Sequence, residues 1–264
     1  MTTAQGEVSA RTFWIGYQTI VIKEVNRILR IWPQTLLPPA ITMTLYFVIF
    51  GQIIGRRIGE MGGMDYMAFI VPGLIMLSVV TNAYGNITSS FFGAKFGRHV
   101  EELLISPLPP ILILAGYVTG AVFRSMVVAV LVFGVASFFS DLSIHNWTVT
   151  LLVILMTAIV FALGGFINAT FAQKFDDIAI VPTFVLQPLT YLGGVFFSID
   201  LLPGVWQQVA LVNPILYMVN AFRYGMLGVT DVPVVYAFGI IGLFAVVLGT
   251  ICVTLLTRGT GLRT

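Results

Sequence analysis

One ionisable side chain lies in the middle of a long apolar run: Arg124, within residues 111–139. A guanidinium at that depth in hydrocarbon costs about 2.5–3.5 kcal/mol, so it must face protein or water. Asn82, Asn86 and Asn168, in other apolar runs, are the polar groups able to meet it. The pattern reads in two ways, as a strut joining three helices or as a contact for an anionic substrate group. Other chemistry is not visible. There is no G-x-x-x-x-G-K-[ST] loop to cradle a phosphate, so the chain is not expected to hydrolyse ATP by itself. His99 and His145 lack metal-ligand spacing, and Cys252 stands alone in an apolar run. No G-x-S-x-G elbow is found and no carboxylate lies within an apolar run. The expectation is a chain that is no enzyme and holds no cofactor or metal of its own.

The elements that must position Arg124 follow from composition. Of the 264 residues, 58% are hydrophobic and 9% charged, against about 25% charged in soluble domains. A water-facing surface cannot be made from so few charges, and the solvent is therefore lipid. A net charge of +2 is too small to point to nucleic acid. Crossing about 30 Å of hydrocarbon takes about 20 apolar residues at 1.5 Å rise. Six stretches meet that length: 34–55, 67–92, 111–139, 147–172, 178–198 and 234–257. No cleavable signal peptide is visible, since Lys23, Glu24, Arg27 and Arg30 interrupt the first apolar stretch.

Residues 12–30 alternate apolar and charged positions in steps of three and four, which predicts an amphipathic helix lying in the membrane interface. Its polar face would carry Lys23, Glu24, Arg27 and Arg30. Counting cations places both ends in the cytoplasm by about three to one, with Arg56, Arg57 and Arg223 facing outward. Residues 200–227 are apolar but broken at Asn213-Pro214, so neither half can span; a re-entrant outer hairpin fits, as does a loop with two surface helices. Gly193 and Gly194, followed by Phe196 and Phe197, read as a hinge and outer gate or as close helix packing. Tyr46, Phe50, Asn82, Thr183 and Gln187 are the candidates to line a pathway.

Between the second and third spans, residues 98–105 form a short charged helix, with a turn at Gly97 before it and Ser106-Pro107 after it. Arg98, Glu101 and Glu102 would point outward, and the helix is either a solvated connector or a dock for a cytoplasmic partner. Here the chain resembles a known family. The run Glu101-Glu102-Leu103-Leu104-Ile105-Ser106-Pro107-Leu108 is similar to the coupling-helix segment of type-2 ABC exporter permeases. Residues 188–203 and 211–225 are similar to that family's C-terminal signature, and Phe175-Asp176-Asp177 with residues 258–263 looks like an enterobacterial subgroup.

The resemblance covers essentially the whole chain. It implies one all-α polytopic membrane domain over residues 1–264, with an N-terminal interfacial amphipathic helix, six transmembrane helices and a re-entrant outer hairpin between spans five and six. It implies a homodimer in the bacterial inner (plasma) membrane bound to two copies of a cytoplasmic ABC ATPase, with ATP and magnesium on that partner. Arg98, His99, Glu101 and Glu102, together with Lys23, Glu24 and Arg27, would contact the ATPase. The expected cargo is amphipathic: a lipid, glycolipid or hydrophobic drug. A channel, an ion-coupled transporter or a membrane scaffold acting without an ATPase is the rival reading.

Overall fold

A computed structural model describes residues 10–261, and they form an all-α polytopic membrane protein. The helices are α1 (Ala10–Arg30), α2 (Trp32–Ile58), α3 (Tyr66–Phe96), α4 (His99–Ile105), α5 (Pro110–Ala136), α6 (Trp147–Phe171), α7 (Asp177–Leu192), α8 (Gly204–Val212), α9 (Pro214–Leu227) and α10 (Val234–Arg258). A small antiparallel hairpin joins α2 to α3, with β1 (Glu60–Met61) on β2 (Met64–Asp65) and Glu60 opposite Asp65. Among the described residues, five helices are long and apolar enough to cross a membrane: α2, α3, α5, α6 and α10.

Local sequence sets the boundaries. Asp65 caps α3 by accepting from the Met67 N–H at 3.0 Å, and Asn146 caps α6 through the Val149 N–H at 3.1 Å. Pro110 opens α5 and Pro214 opens α9, where the missing N–H has no helical partner to lose. Helix α3 is apolar nearly all round and is buried on most of its surface, packed by α5, α6 and α9, with a narrow exposed stripe at Thr81, Gly85, Ser89 and Gly93. It is the axis of the bundle. Two helices depart from α geometry: α2 is π-helical over Phe47–Ile54 and contains Pro38 and Pro39, and α7 is π-helical over Pro182–Leu186.

Several expectations change. The fifth predicted span, 178–198, ends early, because α7 stops at Leu192 and Gly194 takes a left-handed turn (φ +73°). At about 1.5 Å per residue α7 is short of a full bilayer crossing. The turn ahead of α4 contains Gly97 as expected, but its left-handed residue is Arg98 (φ 60°), while Gly97 has φ −78°. Arg223, counted among the outward-side cations, is buried within the protein, 1% exposed. Arg263 lies outside the described residues.

Helix α1 also turns a different face inward. Its buried residues are Ile20, Glu24 and Ile28, while Trp14, Ile15, Ile22 and Leu29 are exposed. The cause lies on α5. A Cβ on Gly116 would sit 2.6 Å from Ile20, and one on Gly120 would sit 2.6 Å from the Glu24 Cβ. The two helices thus run the same way with their turns in step, and only glycine leaves room for a glutamate at that spacing. Periodicity alone assigned Glu24 to the polar outer face; packing puts it inside.

Candidate functional site

Three helices meet around a buried carboxylate. Glu24 on α1 is 0% exposed; its Oε1 accepts from Ser90 Oγ of α3 at 2.6 Å, and its Oε2 accepts from Arg27 Nη2 at 3.0 Å. Arg27 reaches on to Asn86 Oδ1 at 2.8 Å, and Lys23 donates to Tyr117 Oη of α5 at 3.4 Å. Each charge has an opposite partner and hydrogen bonds, the condition under which buried ions persist. One turn further along α3, Asn82 donates to the Ser78 carbonyl and turns its Oδ1 to Arg124 Nε at 3.2 Å. Of the three asparagines expected around Arg124, only Asn82 meets it. Asn86 is taken by Arg27, and Asn168 donates to the Ile178 carbonyl at 3.2 Å.

Arg124 and Asn82 lie in the wall of a cavity of about 320 Å³ between α2, α3, α5 and α7. Tyr46, Thr42, Gln34, Thr81, Gln187, Thr190 and Tyr191 supply most of its polar lining. Three of the residues named as pathway candidates, Tyr46, Asn82 and Gln187, line this cavity. Thr183 is exposed on α7 outside the cavity, and Phe50 stands beside it rather than in it. Phe50 instead joins an aromatic cluster: its ring centroid is 5.8 Å from Tyr46 and 4.7 Å from Phe196, which also lies 6.1 Å from Tyr191. Phe196 thus packs against two tyrosines of the cavity wall, Tyr46 and Tyr191, whereas Phe197 makes no such ring contact among the described residues.

The segment carrying Phe196 is held from behind by a residue that hydropathy could not single out. Arg223 on α9 donates from Nη2 to the Gly194 carbonyl at 2.6 Å, stands 3.9 Å from the Phe69 ring centroid and is 3.8 Å from Asp231 Oδ2. Tyr66 Oη adds a hydrogen bond to the Phe196 carbonyl at 3.0 Å. Gly193 packs beneath Ile215, so a Cβ there would fall 2.7 Å from Ile215 Cγ2. Asn213 is buried, donating to the Leu189 carbonyl and capping Pro214 and α9 through the Ile215 N–H. On α8, Val205, Trp206 and Val209 are exposed. The only sequence signal for Arg223 was a lone cation in an apolar stretch.

At the opposite end of the bundle, α4 hangs between α3 and α5. Val100 is buried, whereas Arg98, His99, Glu101 and Glu102 are all exposed. Beside it lies a second cavity, of about 580 Å³, lined by Lys95, Arg98, Phe96, Gln173 and Gly261 among others. Lys95 donates to the Thr170 and Ala172 carbonyls at 2.6 and 2.8 Å and so caps the C-terminus of α6 with a cation. Glu24 is thereby separated from the rest of the expected ATPase-contact set: a carboxylate with no exposed surface cannot be part of a docking face. Lys23 remains about half exposed and Arg27 partly so. Among the described residues no group of three or more His, Cys, Asp or Glu is arranged to hold a metal.

A protein-family profile described as ABC-2 type transporter matches residues 16–227. Over 251 residues the chain is 55% identical to the inner membrane transport permease YadH of Escherichia coli (strain K12), covering 95% of this chain and 98% of that protein. It is 27% identical over 218 residues to nodulation protein J of Rhizobium leguminosarum bv. viciae, covering 81% of this chain and 83% of that protein. A nodulation protein J of Neorhizobium galegae is 23% identical over 233 residues.

Proposed function

The chain belongs to the ABC-2 type transporter family, and from that premise we propose that it is the permease subunit of an ATP-binding cassette exporter in the bacterial inner membrane. A family of this kind works with an ABC ATPase, and two copies of that separate chain, carrying ATP and magnesium, would bind a homodimer of this one. The observation that carries the reading is α4: a short helix hung between two long ones by a single buried residue, Val100, and presenting Arg98, His99, Glu101 and Glu102 outward. In this reading α4 is the coupling helix, both chain ends are cytoplasmic, α7 with the turn that follows it makes the fifth of six crossings, and α8 with α9 forms the re-entrant outer hairpin. Closure of the ATPase pair displaces α4 and α1 and reshapes the cavity between α2, α3, α5 and α7. An amphipathic lipid, glycolipid or hydrophobic drug is the expected cargo, because the walls beside the polar cavity are apolar and open toward lipid.

Purification of the tagged chain from its native membrane tests the proposal. A stoichiometric ABC ATPase retained through detergent extraction is the expected result. A well-folded chain that repeatedly comes away without one would sink it and favour a channel or a scaffold.

A further inference from the structure

The cavity between α2, α3, α5 and α7 has an unbalanced charge. Arg124 spends only Nε on the chain, on the neutral amide oxygen of Asn82. Its two terminal nitrogens have no hydrogen-bond partner among the described residues, and no carboxylate lines the cavity. Glu24, the nearest buried acid in the network, is already committed to Arg27 and Ser90. Asn82 is itself locked by its bond to the Ser78 carbonyl, so the guanidinium is held in place and its free edge is left for something else. Around it the hydroxyls of Thr81 and Thr190 give their protons to Leu77 and Leu186, leaving oxygen lone pairs as acceptors. The side chains of Gln34 and Gln187 line the same space without a hydrogen bond to any described residue.

We propose that this cavity is a binding site for the anionic, hydroxyl-bearing headgroup of an amphipathic molecule, with Arg124 holding the oxyanion. The planar fork of a guanidinium suits two oxygens of a phosphate or carboxylate. The surrounding acceptors take the hydroxyl protons of the same headgroup, and Tyr46 and Tyr191 give it ring edges to pack on. An anion there also offsets the cost of keeping a lone cation in the membrane. The inference deepens the exporter reading and rests on this cavity being its ligand site.

The test uses the full chain in phosphatidylcholine nanodiscs containing a minor fraction of phosphatidylglycerol, with the lipids that stay bound counted by native mass spectrometry. Phosphatidylglycerol should be retained in preference to phosphatidylcholine. Arg124→Gln should weaken that retention about tenfold, the scale of one charge-assisted contact, while Arg124→Lys keeps most of it. Soluble glycerol phosphate forms a second arm, and whichever arm loses binding in Arg124→Gln identifies the source as lipid headgroup or free phosphate. Should Arg124→Gln fail to fold, Thr81→Glu keeps the guanidinium and adds a carboxylate to the wall, and it should abolish the preference. Equal retention of both lipids by the native chain, or an unchanged preference in Arg124→Gln or Thr81→Glu, overturns the proposal. Because no ATPase is present in the assay, anion binding by a chain that never co-purifies with one would refute the exporter reading and leave this one standing.

Discussion

Asn82 and Asn86, one turn apart on α3, each give their side-chain oxygen to a different arginine: Asn82 to Arg124 of α5 at 3.2 Å, and Asn86 to Arg27 of α1 at 2.8 Å. The two contacts differ in one respect. Arg27 is neutralised by Glu24 and Arg124 is not. A single helix face therefore links a closed ion pair near the chain's N-terminal helix to an open cation in the cavity.

Removing the closed pair should loosen α1. Glu24→Ala leaves Arg27 facing an uncompensated site and should cost about 3 kcal/mol in stability, read as an earlier thermal unfolding transition in detergent. Glu24→Gln, which keeps the shape and an acceptor for Ser90, should cost less. Equal stability of all three proteins would show that the carboxylate does not hold α1.

The in-step packing of α1 on α5 has its own test. Gly120→Ala places a methyl group against the Glu24 Cβ and should cost about 1–3 kcal/mol through strain. A larger residue at Gly120 should detach α1, seen as faster protease cleavage between α1 and α2 with the rest of the bundle intact.

The side chains of Glu101 and Glu102 are exposed and make no hydrogen bond or ion pair within the described residues that α4 needs in order to form. Charge reversal at both, assayed in the complex with its ATPase, should uncouple ATP hydrolysis from transport while membrane insertion and detergent-extracted yield stay unchanged. Normal substrate-stimulated hydrolysis in the double mutant would remove α4 from the coupling role.

Arg223→Gln should free the Gly194 turn, since the hydrogen bond to the Gly194 carbonyl and the contact with Phe69 go together. Hydrogen exchange should rise in α9 and in the turn carrying Phe196, with little change in α5 or α6. A uniform loss of protection would mean that Arg223 serves the whole bundle.

Arg98→Gly should be neutral or stabilising by about 1 kcal/mol, because the left-handed backbone at that position penalises any side chain. A marked loss of stability would show that the guanidinium makes a contact that offsets the strain.

The long apolar helices were legible in the sequence because their signal is composition, and lipid demands composition. Residues 67–92 and 147–172 lie almost wholly within α3 and α6 for that reason. The place of Glu24 was not legible, since what brings a carboxylate indoors is a pair of glycines about ninety positions along the chain. The same holds at Arg124. Its isolation was evident, but the choice among three asparagines depends on which of them Arg27 has already taken. The end of α7 escaped the reading because hydropathy continues through Gly193 and Gly194 while the backbone turns there.

The π-helical stretches belong to α2 and α7, two of the four helices that wall the cavity, and each borders the lining residues of its helix, whereas α3 and α5 are wound normally throughout. A π turn is wider and shorter than an α turn of the same residues, so these two walls hold slack. Rewinding either stretch as ordinary helix would lengthen it and rotate every side chain beyond it. Tyr46 and Gln187, which adjoin the π stretches, are the lining residues that such a change of winding would carry first.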